Sequence, residues 1–183
     1  YGEAVTALDQ AYDAGLQSAK VFQLRGYARY SLQMYDLAIK DLLIVEGDAS
    51  SSLQDAIYFS TLGLSFVGVE DYEKAIPALE AAMEKGAAQD EVFLALGKAY
   101  FHSASYQEAI HTLKKAPESP EIAAMTGQAY YQLEEYDQAL SFIKEAIEGG
   151  NRRADILYAR GDILLRNEDY NAALKDFEAC LSE

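Results

Sequence analysis

The 183-residue chain is half apolar, enough to bury a substantial core, and its thirty acidic residues against fifteen basic ones give a net charge of −15. That charge repels phosphate backbones and anionic lipid heads, which argues against nucleic acid as a partner, and no apolar run approaches the roughly 18 residues of a membrane span. The single cysteine cannot close an internal disulfide, so the compartment stays open; an acidic, tyrosine-rich segment leans toward a bacterial cell envelope, with the cytoplasm as the alternative.

The chain opens on Tyr1, Ala4, Leu8 and Ala11, a helical spacing over residues 1–14 that returns as Tyr35, Ala38, Leu42 and Val45. This stretch reads as the second helix of a repeat whose first helix is missing, and the chain as a piece of a longer protein. Helix pairs are then predicted at 19–32 with 35–46, 55–68 with 71–85, and 89–102 with 105–116. Two more follow at 119–132 with 135–148 and 153–166 with 169–182, so the repeats span 19–46, 55–85, 89–116, 119–148 and 153–182.

Each pair carries a Gly on its first helix, a Tyr nine residues later, an Ala at twelve and a large apolar residue at sixteen. The sets are Gly26, Tyr35, Ala38 and Leu42; Gly63, Tyr72, Ala75 and Leu79; and Gly97, Tyr106, Ala109 and Leu113. Gly127, Tyr136, Ala139 and Ile143, then Gly161, Tyr170, Ala173 and Phe177, complete the series. Gly and Ala remove bulk where two helices cross, and the larger residues fill the space beside them. Cys180 stands where other repeats have Ala82, Ala116 and Ala146, and reads as a packing residue.

Successive motif glycines lie 37, 34, 30 and 34 residues apart while the internal offsets stay fixed. Length variation therefore falls between repeats, at the polar connection Gly47–Ser52 and the proline-bounded Ala116–Pro120. Pro120 suits the first turn of the next helix. Pro77 falls inside a second helix and is expected to be a tolerated kink, the alternative being a change in the curvature of the array.

Arg25 and Arg160 precede the motif glycine in two repeats, and sixteen residues after each is an Asp, Asp41 and Asp176. Repeats without the Arg have Ala78, Thr112 or Phe142 in the Asp position. The chain varying against itself predicts two structural ion pairs, Arg25–Asp41 and Arg160–Asp176.

The order Phe93, Leu96-Gly97, Tyr100, Ala109 and Leu113, repeated along nearly all the chain, resembles the tetratricopeptide repeat. The initial Trp of that motif is replaced by Phe22, Phe59, Phe93, Ala123 or Leu157, and the usual Pro between repeats is mostly missing. The resemblance implies an all-α, right-handed solenoid of five full repeats plus the N-terminal orphan helix. It also implies a non-enzymatic protein with a concave groove lined by first helices, which would hold a protein or peptide partner.

Transferred to this sequence, the groove positions give Gln23, Tyr27 and Tyr30, then Ser60 and Leu64, then Leu94, Lys98 and Phe101. The later repeats supply Gln128 and Tyr131, then Tyr158 and Asp162. A purely solvated helix face is charged, whereas this one interleaves aromatic and aliphatic residues with few charges, as interface cores do. Packing of these residues between repeats is the competing reading. Repeats that clamp acidic chaperone tails use Lys, Asn and Arg at these positions; here only Lys20 and Lys98 match, beside Glu91, Glu121 and Asp155. That subclass is therefore not expected.

No cofactor and no metal site are expected, since His102 and His111 lie on different predicted helices with no Cys nearby. The leading expectation is an interaction scaffold binding a peptide segment through apolar and aromatic anchors. The alternative is an assembly or spacer segment that stacks through its open ends, by self-association or domain docking. A regulatory region attached to an enzyme is a third.

Overall fold

The computed structural model describes residues 1–46 and 51–181, and among them the regular elements are helices with no strand. Of the connection read at Gly47–Ser52, residues 47–50 lie outside the described residues. The chain divides into two compact units, Tyr1–Ala99 and Tyr100–Glu183. The first holds α1 (Gly2–Asp13), α2 (Ala19–Ser31), α3 (Tyr35–Glu46), a 3-10 turn (Ser51–Leu53), α4 (Ala56–Gly68) and α5 (Tyr72–Glu84). Helix α6 (Asp90–His102) runs through the boundary. The second unit continues with α7 (Tyr106–Leu113), α8 (Pro120–Gln132), α9 (Tyr136–Glu148), α10 (Ala154–Arg166) and α11 (Tyr170–Cys180). The architecture is an α-solenoid of helix pairs, with α2 on α3 and α4 on α5 in one unit, and α8 on α9 and α10 on α11 in the other.

The motif glycines sit where these paired helices touch. A Cβ at Gly26 would lie 2.8 Å from Leu42 Cγ, and one at Gly127 2.8 Å from Ile143 Cγ1. The corresponding alanines, Ala38, Ala75, Ala139 and Ala173, are all buried. Small residues thus let the backbones approach while the residue at offset sixteen fills the seam.

Each first helix ends in the same tight turn, at Gln33, Glu70, Ala104, Glu134 and Glu168, with φ between 59° and 64°. Gln33 N–H donates to Tyr30 O and Met34 N–H to Arg29 O, which satisfies carbonyls the helix end would leave open. None of the five is Gly, although the left-handed region costs an L-residue about 1–2 kcal/mol. Ala104 is exposed, so Ala104→Gly should raise stability by about 0.5–1 kcal/mol after the added chain entropy of Gly. A urea denaturation midpoint that falls would contradict this. Where second helices end, Gly15, Gly86 and Gly150 take up positive φ instead.

One helix departs from its expected bounds, and another keeps them across a proline. α7 stops at Leu113, not at residue 116, because Pro117 restricts Ala116 and cannot donate to a continuing helix. α5 runs through Pro77 from Tyr72 to Glu84, and Pro77 lies on its exposed face.

Both expected ion pairs are present and bidentate. Arg25 Nε and Nη2 donate to Asp41 at 2.9 and 2.6 Å, and Arg160 Nε and Nη2 donate to Asp176 at 2.7 and 2.6 Å. The first pair belongs to a larger network not foreseen from the sequence. Arg25 Nη1 donates to Asp9 on α1 at 2.8 Å, and Arg29 donates to Asp41 at 2.7 Å and to Asp9 at 3.1 Å. Two cations and two anions thus tie α1, α2 and α3 together, with the Tyr12 and Phe22 rings 5.0 and 5.4 Å from the Arg25 guanidinium.

Candidate functional site

In the first unit the candidate residues lie on α2, α4 and α6. Gln23 is 2% exposed. Its amide donates to Leu53 O at 2.6 Å and its carbonyl accepts from Lys20 at 2.7 Å, so it anchors the 3-10 turn. Tyr27 is half-buried, and its hydroxyl is buried with no hydrogen-bond partner among the described residues. Burial pushes that phenol's pKa upward. Tyr30 donates its hydroxyl to Glu91 of α6 at 2.8 Å while its ring lies 6.0 Å from that of Tyr35. Burial first, then the Glu91 bond, raises its pKa, so the phenol stays a donor. Ser60 is turned back on its own helix, donating to Ala56 O at 2.7 Å. Leu64, Leu94 and Lys98 are half-buried, and Ile57 is 60% exposed nearby on α4.

The second unit carries the other candidates on the end of α6 and on α8 and α10. Phe101 is half-buried, its ring 5.7 Å edge-on from that of Tyr106. Gln128 donates to Asp155 at 2.6 Å, and Arg153 donates to the same carboxylate at 3.1 and 2.7 Å. Burial pushes the Asp155 pKa up, but the bonds from Arg153 and Gln128 outweigh it and hold it below its ordinary value. Tyr131 donates to Asp162 at 3.0 Å, a carboxylate that also accepts from Arg166 at 2.8 Å. Burial and that bond push the Tyr131 phenol up to about 12. Its contribution to stability is therefore present below the ordinary value of about 10 and lost as pH rises to about 12. Tyr158 is 55% exposed and rests against Phe177 at 5.8 Å between ring centres.

The candidate rings are thus neither core nor free. Tyr30, Phe101 and Tyr131 each lean on the Tyr that opens the next helix of the same repeat, and two of them hold a carboxylate of another repeat. Glu91 and Asp155 are charges at groove positions, each six residues before its motif glycine, and helical spacing does not disclose their pairing with Tyr30 and Gln128. What remains for a ligand is ring surface, Ile57, Leu64, Leu94, Tyr158 and the exposed Leu165, with Lys98 as a cation. Among the described residues no three His, Cys, Asp or Glu side chains gather to hold a metal, and no helix is long and apolar enough to cross a membrane.

Two family profiles match the chain: tetratricopeptide repeat over residues 124–182, and anaphase-promoting complex, cyclosome, subunit 3 over residues 68–146. No curated protein matches it. Among solved structures, MamA of strain MSR-1 is 28% identical at a TM-score of 0.70, covering 83% of this chain and 88% of its own. MamA of strain AMB-1 is 27% identical at a TM-score of 0.71, covering 81% and 88%. The C-terminal part of a TPR repeat-containing protein from Cytophaga hutchinsonii is 20% identical at a TM-score of 0.68 over 100% of this chain and 73% of its own, a likeness of fold.

Proposed function

This chain is a tetratricopeptide-repeat protein, and from that premise we propose that it is a protein–protein interaction scaffold whose first-helix faces bind an apolar segment of a partner. The supporting observation is the half-buried aromatic surface of α8 and α10, braced by hydrogen bonds to carboxylates of its own unit and open at Tyr158. Because those polar groups already have partners, a ligand meets ring faces and aliphatic carbons whose desolvation is favourable. Such a surface selects an apolar segment over a charged one.

The test is selection of a displayed peptide library on the chain, followed by affinity measurement on Tyr158→Ser. The selected peptides should carry apolar anchors and lose about 2 kcal/mol of binding, while the melting temperature of the variant changes little. Equal binding by wild type and variant would remove this face as the site.

A second reading, association through α11, rests on Tyr170 and Leu174, which are 62% and 56% exposed on that helix. It predicts a concentration-dependent dimer in sedimentation equilibrium that Leu174→Lys weakens. A strict monomer at millimolar concentration would exclude it.

A further inference from the structure

The helices α1, α2 and α3 share one register with α9, α10 and α11, so that Tyr1, Arg25 and Asp41 correspond to Tyr136, Arg160 and Asp176. Both segments form the same bidentate pair between their second and third helices. The surroundings of the two pairs differ. In the first unit Asp9 takes the remaining edge of Arg25 at 2.8 Å, Arg29 brings a second guanidinium, and Tyr12 lies 5.0 Å from the Arg25 guanidinium. The corresponding residues in the second unit are Lys144, Leu164 and Ile147.

A lysine cannot accept a hydrogen bond, and Leu and Ile occupy less space than Arg and Tyr. A cleft of about 500 Å³ opens there, walled by Leu140, Ile147 and Leu164 and bounded by Lys144, Lys175 and the Arg160–Asp176 pair. The Arg160 side chain is 28% exposed against 9% for Arg25. Among the described residues Asp176 is the carboxylate that bonds it, through Nε and Nη2, leaving Nη1 without the acceptor its counterpart has.

We propose that this cleft binds a carboxylate of a partner protein, an Asp or Glu side chain flanked by aliphatic residues, which takes on Arg160 the place Asp9 takes on Arg25. The planar guanidinium presents its outer edge to a planar carboxylate, and the Asp176 charge is already spent on the inner edge. Lys144 and Lys175 add positive charge at the mouth, where Glu148 lies 3.8 Å from Lys144 and offsets one of them. The aliphatic wall favours a carboxylate on an apolar segment over a heavily hydrated anion. The cleft is lined by α9, α10 and α11, and its α10 residues, Arg160 and Leu164, are not among the groove positions proposed above.

The probe is acetyl-Leu-Asp-Leu-amide titrated into the whole chain, read by side-chain NMR at Arg160 Nε–H and the Leu164 methyls. It should bind roughly tenfold more tightly than acetyl-Leu-Asn-Leu-amide, since only the former is charged. Lys144→Asp supplies a carboxylate in the Asp9 position without touching the ion pair, and should abolish binding in a folded chain. Equal affinity for the two peptides, or undiminished binding by Lys144→Asp, would overturn the proposal. Binding of sodium octanoate with none of the peptide would overturn the protein partner in favour of a small acid.

Discussion

Asp41→Ala should cost about 3–5 kcal/mol of folding stability, the scale of breaking a buried ion pair by removing one partner. Asp41 is 2% exposed and accepts from Arg25 Nε, Arg25 Nη2 and Arg29 Nη1. Its loss strands two guanidinium groups that cannot shed their charge, because a guanidinium stays protonated in proteins even without its partner. Asp9 remains but is 44% exposed and already shared. Adding Arg25→Leu, the residue other repeats carry there, should recover much of the loss, because Arg29 keeps Asp9. Urea denaturation of the wild type, the single and the double variant decides the matter. A double variant no more stable than Asp41→Ala would show that the network is not held by charge pairing. Asp176→Ala should cost less, about 1–3 kcal/mol, because Arg160 is more open and water can replace part of the lost bond.

The contrast shows what one sequence makes legible. The Arg25–Asp41 and Arg160–Asp176 pairs could be read because each Arg recurs with an Asp at the same offset and both are absent together elsewhere. Asp9 and Arg29 occur together in one register only, so the repeats offer no comparison for them, and their part follows from the packing of α1 on α2. Tyr58 was missed for the same reason. Its place is taken by Val92, Ile122 or Ile156 in other repeats, and it is fully buried with its hydroxyl donating to Leu42 O at 3.0 Å. The candidate face was legible as composition but not as state. Helical spacing assigns Gln23, Tyr27 and Tyr30 to one face of α2, and it cannot tell that Gln23 is used up on Leu53 O while Tyr30 reaches Glu91. Those distances depend on how successive pairs stack, which local periodicity does not encode.

The second large effect concerns the motif glycines, which differ in what a side chain would strike. At Gly63 a Cβ would fall 2.6 Å from Leu79 Cγ and 3.1 Å from the Leu79 backbone N, and at Gly127 it would fall 3.0 Å from the Ile143 backbone N. A side chain can rotate away; a backbone in a helix seam cannot without separating α4 from α5 or α8 from α9. Gly63→Val and Gly127→Val should therefore each cost about 3 kcal/mol or more, the upper range for overpacking, despite the better helix propensity of the new residue. At Gly161 the nearest atoms all belong to the Phe177 ring, the closest at 2.7 Å. Gly161→Ala should consequently be rescued in large part by Phe177→Leu, whereas Gly63→Ala combined with Leu79→Ala should stay impaired because the backbone contact and a new cavity both remain. Thermal and urea unfolding of the two double variants beside their singles measures the coupling in each seam. Rescue at both sites would mean that side-chain volume alone sets the crossing distance, and rescue at neither would mean that Phe177 is as fixed as a backbone.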